Sequence, residues 1–247
     1  MTAIPFRQEV YYPESDGQPM GETDSHRREM TDLIEALEDR YRNDPQVYVA
    51  GNLFLYYAEG DPRAVICPDV FLVHGVAKRQ RRVYKLWEEE GRVPAMVIEV
   101  TSRDTSREDT SQKKSCYERL GVEEYFLHDL FGEYLNPRLQ GFRLVGGHYR
   151  PMDLTPAGAL ISQTTGLVLQ LEGASGLRLV DAATGEPLLR VQESKDEARR
   201  EKAARLAAEE RIEQEAAARV AAEERARALE AELLRFRQEM ERGQKDG

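Results

Sequence analysis

Pro68-Asp69-Val70-Phe71-Leu72-Val73 and Met96-Val97-Ile98-Glu99-Val100-Thr101 decide the fold of this chain. Both are short runs rich in β-branched and aromatic residues, the composition of a strand buried on two faces. Each also carries one acid, Asp69 at the start of the first run and Glu99 inside the second. A carboxylate in an apolar strand is costly to bury unless it is paired, hydrogen-bonded or bound to a cation. Just beyond lies a polar stretch with Asp109, Lys113 and Tyr117 at four-residue intervals. On a helix that spacing places all three on one face. Two acids and a lysine on adjacent elements are the minimum parts of a metal-dependent phosphodiesterase site.

Working outward, Asp24-Ser25 reads as the cap of a helix from about His26 to Arg42. Met30, Leu33, Ile34, Leu37 and Tyr41 form its apolar stripe, and Asn43-Asp44-Pro45 stops it. Strands are expected at Gln46–Ala50, Leu53–Tyr57, Asp69–His74, Ala95–Thr101 and Glu124–His128. Gly51-Asn52 suits a tight hairpin between the first two. The polar helix should run from about Glu108 to Leu120 and close at Gly121. Helices and strands in this order give an α/β core with a mixed β-sheet flanked by helices. Gly141–Val145, Leu167–Leu171, Leu177–Val180 and Pro187–Val191 read as antiparallel hairpins that extend or flank that sheet.

The chain therefore divides into an irregular, turn-rich arm (1–24), an α/β domain (25–191) and a charged tail (192–247). From Glu193 to Arg242 the tail has neither Pro nor Gly and consists largely of Ala, Glu and Arg. Acid-before-base pairs four apart, such as Glu201/Arg205, Glu215/Arg219 and Glu223/Arg227, support a helix. Ala226, Leu229, Leu233, Phe236 and Met240 step by three and four, as a coiled-coil seam does. Two readings follow: a solvated single helix, or a coiled coil through which residues 193–242 self-associate.

Net charge is −10, and only 13 Lys/Arg and 15 Asp/Glu lie from Gln192 onward, so the folded part carries most of the excess. An acidic domain lacks the clustered cations that hold a long nucleic-acid backbone, although a metal can bring a phosphate to an acidic site. Lys78-Arg79-Gln80-Arg81-Arg82, with Lys85 close behind, is the local exception and reads either as a solvated loop or as a phosphate-contacting arm. Cys67 and Cys116 build no disulfide framework and no zinc motif. No apolar leader or membrane span is visible, so a cytoplasmic protein without a membrane partner is expected.

Hard oxygen ligands suit Mg²⁺ or Mn²⁺, which takes one or two carboxylates and fills its octahedron with water and phosphate oxygens. Asp69 and Glu99 on rigid strands would fix such an ion, and a nearby lysine would neutralise charge in the pentavalent transition state. The plainer alternatives are a turn acid at Asp69, a strand-end acid at Glu99 paired with Arg103, and an exposed Lys113 paired with Asp109. His26, His74, His128 and His148 assemble no site by spacing. There is no GxSxG elbow, Walker A loop or GxGxxG fingerprint.

The linear order is more specific than its parts. Pro68-Asp69-Val70-Phe71-Leu72-Val73, Val97-Ile98-Glu99-Val100-Thr101-Ser102, Asp109-(x3)-Lys113-(x3)-Tyr117, Gly121-Val122-Glu123-Glu124-Tyr125 and Asp129 together resemble the Uma2 family. His26 with Leu33 and Leu37, Leu86-Trp87-Glu88-Glu89, and Leu139-Gln140-Gly141-Phe142 agree, so the resemblance covers roughly residues 10 to 192. It implies a restriction-endonuclease-like, PD-(D/E)xK nuclease: a Mg²⁺- or Mn²⁺-dependent endonuclease acting on DNA. Asp69 would be the first acid and Glu99 the second, with the Val100 carbonyl a further metal ligand. The superfamily's lysine two positions after the glutamate is here Thr101. Lys113 is its natural substitute from the following helix, supported by Asp109 and Tyr117, while Lys114 points about 100° away. An acid on the first helix often completes such sites, and Glu29 and Glu35 are both available. The rival reading is a catalytically degenerate core that binds or assembles through its helical tail.

Overall fold

The computed structural model describes residues 10–15, 17, 23–102 and 105–243. The turn-rich reading of residues 1–9, 16 and 18–22 lies outside these, as does Arg103. The elements in order are α1 (Asp24–Arg40), β1 (Val47–Ala50), β2 (Leu55–Tyr56), β3 (Val65–Ile66), β4 (Val70–His74), β5 (Tyr84–Lys85) and a 3-10 turn at Leu86–Glu88. β6 (Met96–Thr101) follows, then a helical crossover of α2 (Ser106–Glu108), a π-helical turn (Asp109–Lys113) and α3 (Lys114–Leu120). The second half holds β7 (Glu124–Asp129), β8 (Leu139–Val145), β9 (His148–Pro151), β10 (Leu160–Ile161), β11 (Leu167–Glu172), β12 (Gly176–Asp181) and α4 (Val191–Gly243).

The main sheet has the order β1-β4-β6-β7-β8-β9, and only β6 and β7 run parallel. This is the mixed α/β core expected. A parallel pair requires a crossover, and the helical segment 106–120 supplies it. β6 and β7 are buried along their whole length, which is why their sequences read as continuous apolar runs. Strand alternation then sorts the side chains. Val70, Leu72, Met96, Ile98 and Val100 join Met30, Leu33 and Leu37 of α1 in one core. Phe71, Val73, Val97, Tyr117 and Tyr125 form a second core on the opposite face.

That parity positions the acids. Phe71 pairs with Val97 and Val70 with Ile98 in the antiparallel β4–β6 register. One step further sets Asp69 opposite Glu99, and both share the face of Phe71 and Val97 that the crossover helix covers. Gly51 lets the chain run close against the backbone at Asp69. A Cβ there would lie 2.0 Å from the Asp69 carbonyl oxygen and 2.5 Å from Ile34 Cδ1, so no larger residue fits without displacing the strand entrance.

Several boundaries differ from expectation for identifiable reasons. Thr23, not Asp24-Ser25, caps α1, its hydroxyl accepting from the His26 amide at 3.2 Å. That leaves Asp24 in the first turn, where the helix dipole favours an acid. Gly51-Asn52 makes no hairpin: β1 pairs with β4, and β2 leaves to pair with β3 and β5. The Asn52 amide instead donates to the Pro68 carbonyl at 2.8 Å, tying the turn to the segment before Asp69. Past β7, the β8–β9 hairpin extends the main sheet and β10–β12 form a separate one. Pro187–Val191 is not a strand but a single bridge, Val180 to Pro187, and Val191 already begins α4.

The basic run is engaged within the fold. Lys78 Nζ donates to the carbonyls of Tyr41 and Arg42 beyond α1, a favourable place for a cation. Arg79 and Arg81 both pair with Glu89, and the buried Arg81 guanidinium lies 4.1 Å over the Tyr48 ring. Arg82 pairs with Glu14, and Lys85 with Glu88. Each of these cations thus has a partner within the fold, although the side chains of Arg79 and Arg82 stay largely exposed.

Residues 1–191 form one compact unit and 192–247 a second. The second is the 53-residue helix α4, with exposed Leu206, Ile212, Val220, Leu229 and Leu233. The side chains of Phe236 and Met240, part of the expected seam, lie outside those described. No helix among the described residues is long and apolar enough to cross a membrane.

Candidate active site

Asp69, Glu99, Lys113, Asp109 and Tyr117 meet on the face of β6 beneath the crossover helix. Glu99 is fully buried and is held from three directions. Lys113 Nζ donates to its Oε2 at 2.8 Å, the Tyr117 hydroxyl donates to its Oε1 at 2.7 Å, and the Asp69 amide approaches Oε2 at 3.3 Å. Asp69 in turn accepts from the Val100 amide through Oδ2 at 2.8 Å. Each acid therefore touches the other's strand. Because the N–H and C=O of one strand residue leave by the same edge, the Val100 carbonyl is turned toward Asp69.

The π-helical turn explains how Lys113 reaches this point. Such turns are wider than an α-helical turn and occur frequently at functional sites. Here one spans Asp109–Lys113, and both residues at its ends are buried. Asp109 Oδ1 lies 3.3 Å from Lys113 Nζ, an ion-pair contact without hydrogen-bond geometry, and neither Asp109 carboxylate oxygen has a hydrogen-bond partner among the described residues. Tyr125 fixes the turn by donating to the Asp109 carbonyl at 2.8 Å. Lys114 sits instead with its ammonium 3.5 Å over the Phe142 ring, as its position one step around the helix requires.

The electrostatics follow from three acids against one ammonium. Burial pushes the Glu99 carboxyl well above the usual carboxylate range; Lys113 opposes this, while Asp69 and Asp109 add to it. Burial likewise raises Asp109 against the pull of Lys113. For Lys113, burial alone would favour the neutral amine, but Glu99, Asp69 and Asp109 reverse that and hold the proton above its ordinary affinity. Asp69 moves the other way: the opposing effect of burial is outweighed by His26, Lys113 and the Val100 amide, which hold its carboxyl down. Tyr117 is kept a phenol by burial and by the charge of Glu99.

Thr101 lies two positions after Glu99 on β6. It is buried, and its hydroxyl has no hydrogen-bond partner among the described residues. Neither candidate acid of α1 is recorded in contact with this cluster. Glu29 accepts from the Leu177 amide at 2.6 Å and lies 3.8 Å from His128 Nε2, while Glu35 is exposed. What α1 brings is His26, whose Nε2 is 3.4 Å from Asp69 Oδ2. This residue is the one the histidine spacing missed: 43 positions separate the partners, so no local pattern could reveal it. Asp129, part of the resemblance, instead accepts the amides of Phe131, Gly132, Tyr134 and Leu135 and so organises the turn after β7.

Among the described residues no three His, Cys, Asp or Glu side chains form a set able to hold a metal. A cation here would rely on two carboxylates and a carbonyl, with water completing its shell, which is the donor set Mg²⁺ prefers. Asp69, Glu99 and the Val100 carbonyl are oxygen donors of the kind such an ion takes.

Two strand acids and a lysine from the covering helix thus share one face of the mixed α/β core. The chain belongs to the Uma2 family, described as "Putative restriction endonuclease", whose family model matches residues 2–178. Among solved structures it is similar to a "putative nuclease belonging to DUF820" from Anabaena variabilis ATCC 29413. The two are 12% identical, with 63% of this chain and 86% of that one covered and a TM-score of 0.44. No curated protein matches the chain.

Proposed function

We propose that this chain is a metal-dependent endonuclease that hydrolyses DNA phosphodiester bonds, with Asp69 and Glu99 holding Mg²⁺ or Mn²⁺ and Lys113 assisting. The observation that carries the reading is the 2.8 Å contact of Lys113 Nζ with Glu99 Oε2. It restores, from the following helix, the cation that Thr101 does not supply. A bound divalent ion contributes an oriented, more acidic water and neutralises charge on the phosphate. The chain's own residues do the rest. The Val100 amide and His26 orient Asp69, and Tyr117 fixes Glu99 by donating to its second oxygen. Lys113, kept cationic by its three acids, is placed to donate to the attacking water and to the pentavalent phosphate. Asp69 is the member open to solvent, its side chain 17% exposed, so phosphate would approach from its side.

The test is nicking of plasmid DNA by purified protein with Mn²⁺. Wild type should nick, and Asp69→Ala and Glu99→Ala should not; equal activity in all three would sink the reading.

A second reading is favoured by the buried, unpaired Thr101 hydroxyl and the sealed Glu99. In it the core is a degenerate binding module, and α4 carries self-association through Leu229 and Leu233. Its measurable consequence is a full chain that is oligomeric and inert toward DNA.

A further inference from the structure

A trough runs beside Lys113, between the β2–β3 ribbon and the crossover helix. It comprises two adjoining cavities of about 670 and 370 Å³ that share Tyr57, Cys116 and Arg119. The larger is within the range of pockets that hold a small organic ligand. Its ribbon wall is apolar and aromatic, with Phe54, Tyr57 and Ile66 half-buried; its helix wall carries Glu108, Gln112, Lys113 and Arg119. Tyr57 and Cys116 both line the junction of the two cavities. Arg119 is exposed and makes no ion pair among the described residues. It differs in this from the run Lys78–Lys85, whose cations are bound internally.

We infer that this trough binds unpaired nucleotides, with a base against Tyr57 and Phe54 and a backbone phosphate on Arg119. Aromatic side chains beside a cation are how proteins hold single-stranded nucleic acid, because every base offers a π-face. A duplex keeps its bases stacked inside and offers only phosphates. Neutralising those needs an extended set of Lys and Arg, whereas this chain carries a net charge of −10 and the trough presents few cations. Single-stranded or locally opened DNA is therefore the substrate form this surface fits. The inference rests on the nuclease reading for its biological meaning but not for its measurement.

The experiment is fluorescence anisotropy of the full chain with a short labelled oligothymidine and with a duplex of equal length, in EDTA so that no cleavage occurs. The single strand should bind at least tenfold more tightly. Tyr57→Ala should weaken it about five- to a hundredfold, the range for loss of one base–aromatic stack. Tyr57→Phe should retain binding, and Arg119→Glu, at an exposed helix position, should weaken it without loss of fold. Equal binding of duplex and single strand, no binding of either, or unchanged affinity in both Tyr57→Ala and Arg119→Glu overturns the inference. Oligothymidine binding by a wild type that never nicks DNA would uphold the trough and refute the nuclease. Nicking together with equal duplex binding would do the reverse.

Discussion

Replacing Lys113 with methionine keeps the apolar stem and removes only the ammonium, so it isolates what that charge does inside the cluster. In the wild type the ammonium lies 2.8 Å from Glu99 and 3.3 Å from Asp109, with both acids buried. Breaking a buried ion pair by removing one partner costs about 3–5 kcal/mol, because the other charge is left unpaired. For a domain of this size 1 kcal/mol corresponds to roughly 2–4 °C, so Tm should fall by about 6–20 °C at neutral pH. The deficit should depend on pH with a definite sign. Glu99 and Asp109 have raised folded-state affinities for a proton. Their stabilising contribution is therefore full below the ordinary values of 4.5 and 3.8 and is lost as pH rises through the folded-state values. Losing Lys113 raises both acids further, so the gap between variant and wild type should narrow as pH drops from about 7.5 to about 5. Asp69, Glu124 and Asp129, whose carboxyls are held low, contribute stability that is full above the ordinary values of 3.8 and 4.5 and is lost only at more acidic pH, so they do not set the trend between about 7.5 and about 5. The assay is thermal unfolding followed by fluorescence of Trp87, the chain's single tryptophan, since far-ultraviolet signal would include α4. A Lys113→Met deficit under about 1 kcal/mol, or one that grows on acidification, refutes a buried, charge-bearing cluster. Adding Glu99→Gln to Lys113→Met should recover part of the loss.

Divalent metal should stabilise the protein. At a hundred times Kd the gain is about 2.7 kcal/mol, or roughly 5–10 °C, with Mn²⁺ or Mg²⁺ against EDTA. Asp69→Asn and Glu99→Gln should abolish that shift, and an equal shift in all forms would place the ion elsewhere. For the tail, sedimentation of the full chain should show an oligomer that Leu229→Glu with Leu233→Glu converts to monomer; a wild-type monomer removes the self-association reading.

The α/β order, the acids and the helix face were legible because they rest on local periodicity. A two-residue alternation puts Asp69 on the side of Phe71 and Glu99 on the side of Val97, and a four-residue step aligns Asp109, Lys113 and Tyr117. Gly121, with φ of +87°, marked the end of the helix through its own backbone freedom. These features need only the nearest neighbours in the chain.

What tertiary structure decided was pairing across distance. The β4–β6 register that sets Asp69 opposite Glu99 is a choice among slips that sequence leaves open. The π-helical turn that drops Lys113 onto Glu99 is stabilised by Tyr125 from the next strand, and His26 reaches Asp69 only because α1 packs over the sheet. The same non-locality bears on two further readings. Gly51-Asn52 looked like a hairpin, but the Asn52 amide donates to the Pro68 carbonyl before Asp69; the basic run, readable either as a solvated loop or as a phosphate-contacting arm, pairs with Glu89, Glu14 and the end of α1. Sequence named the acids and the lysine; burial, register and counter-charges from distant elements made them one cluster.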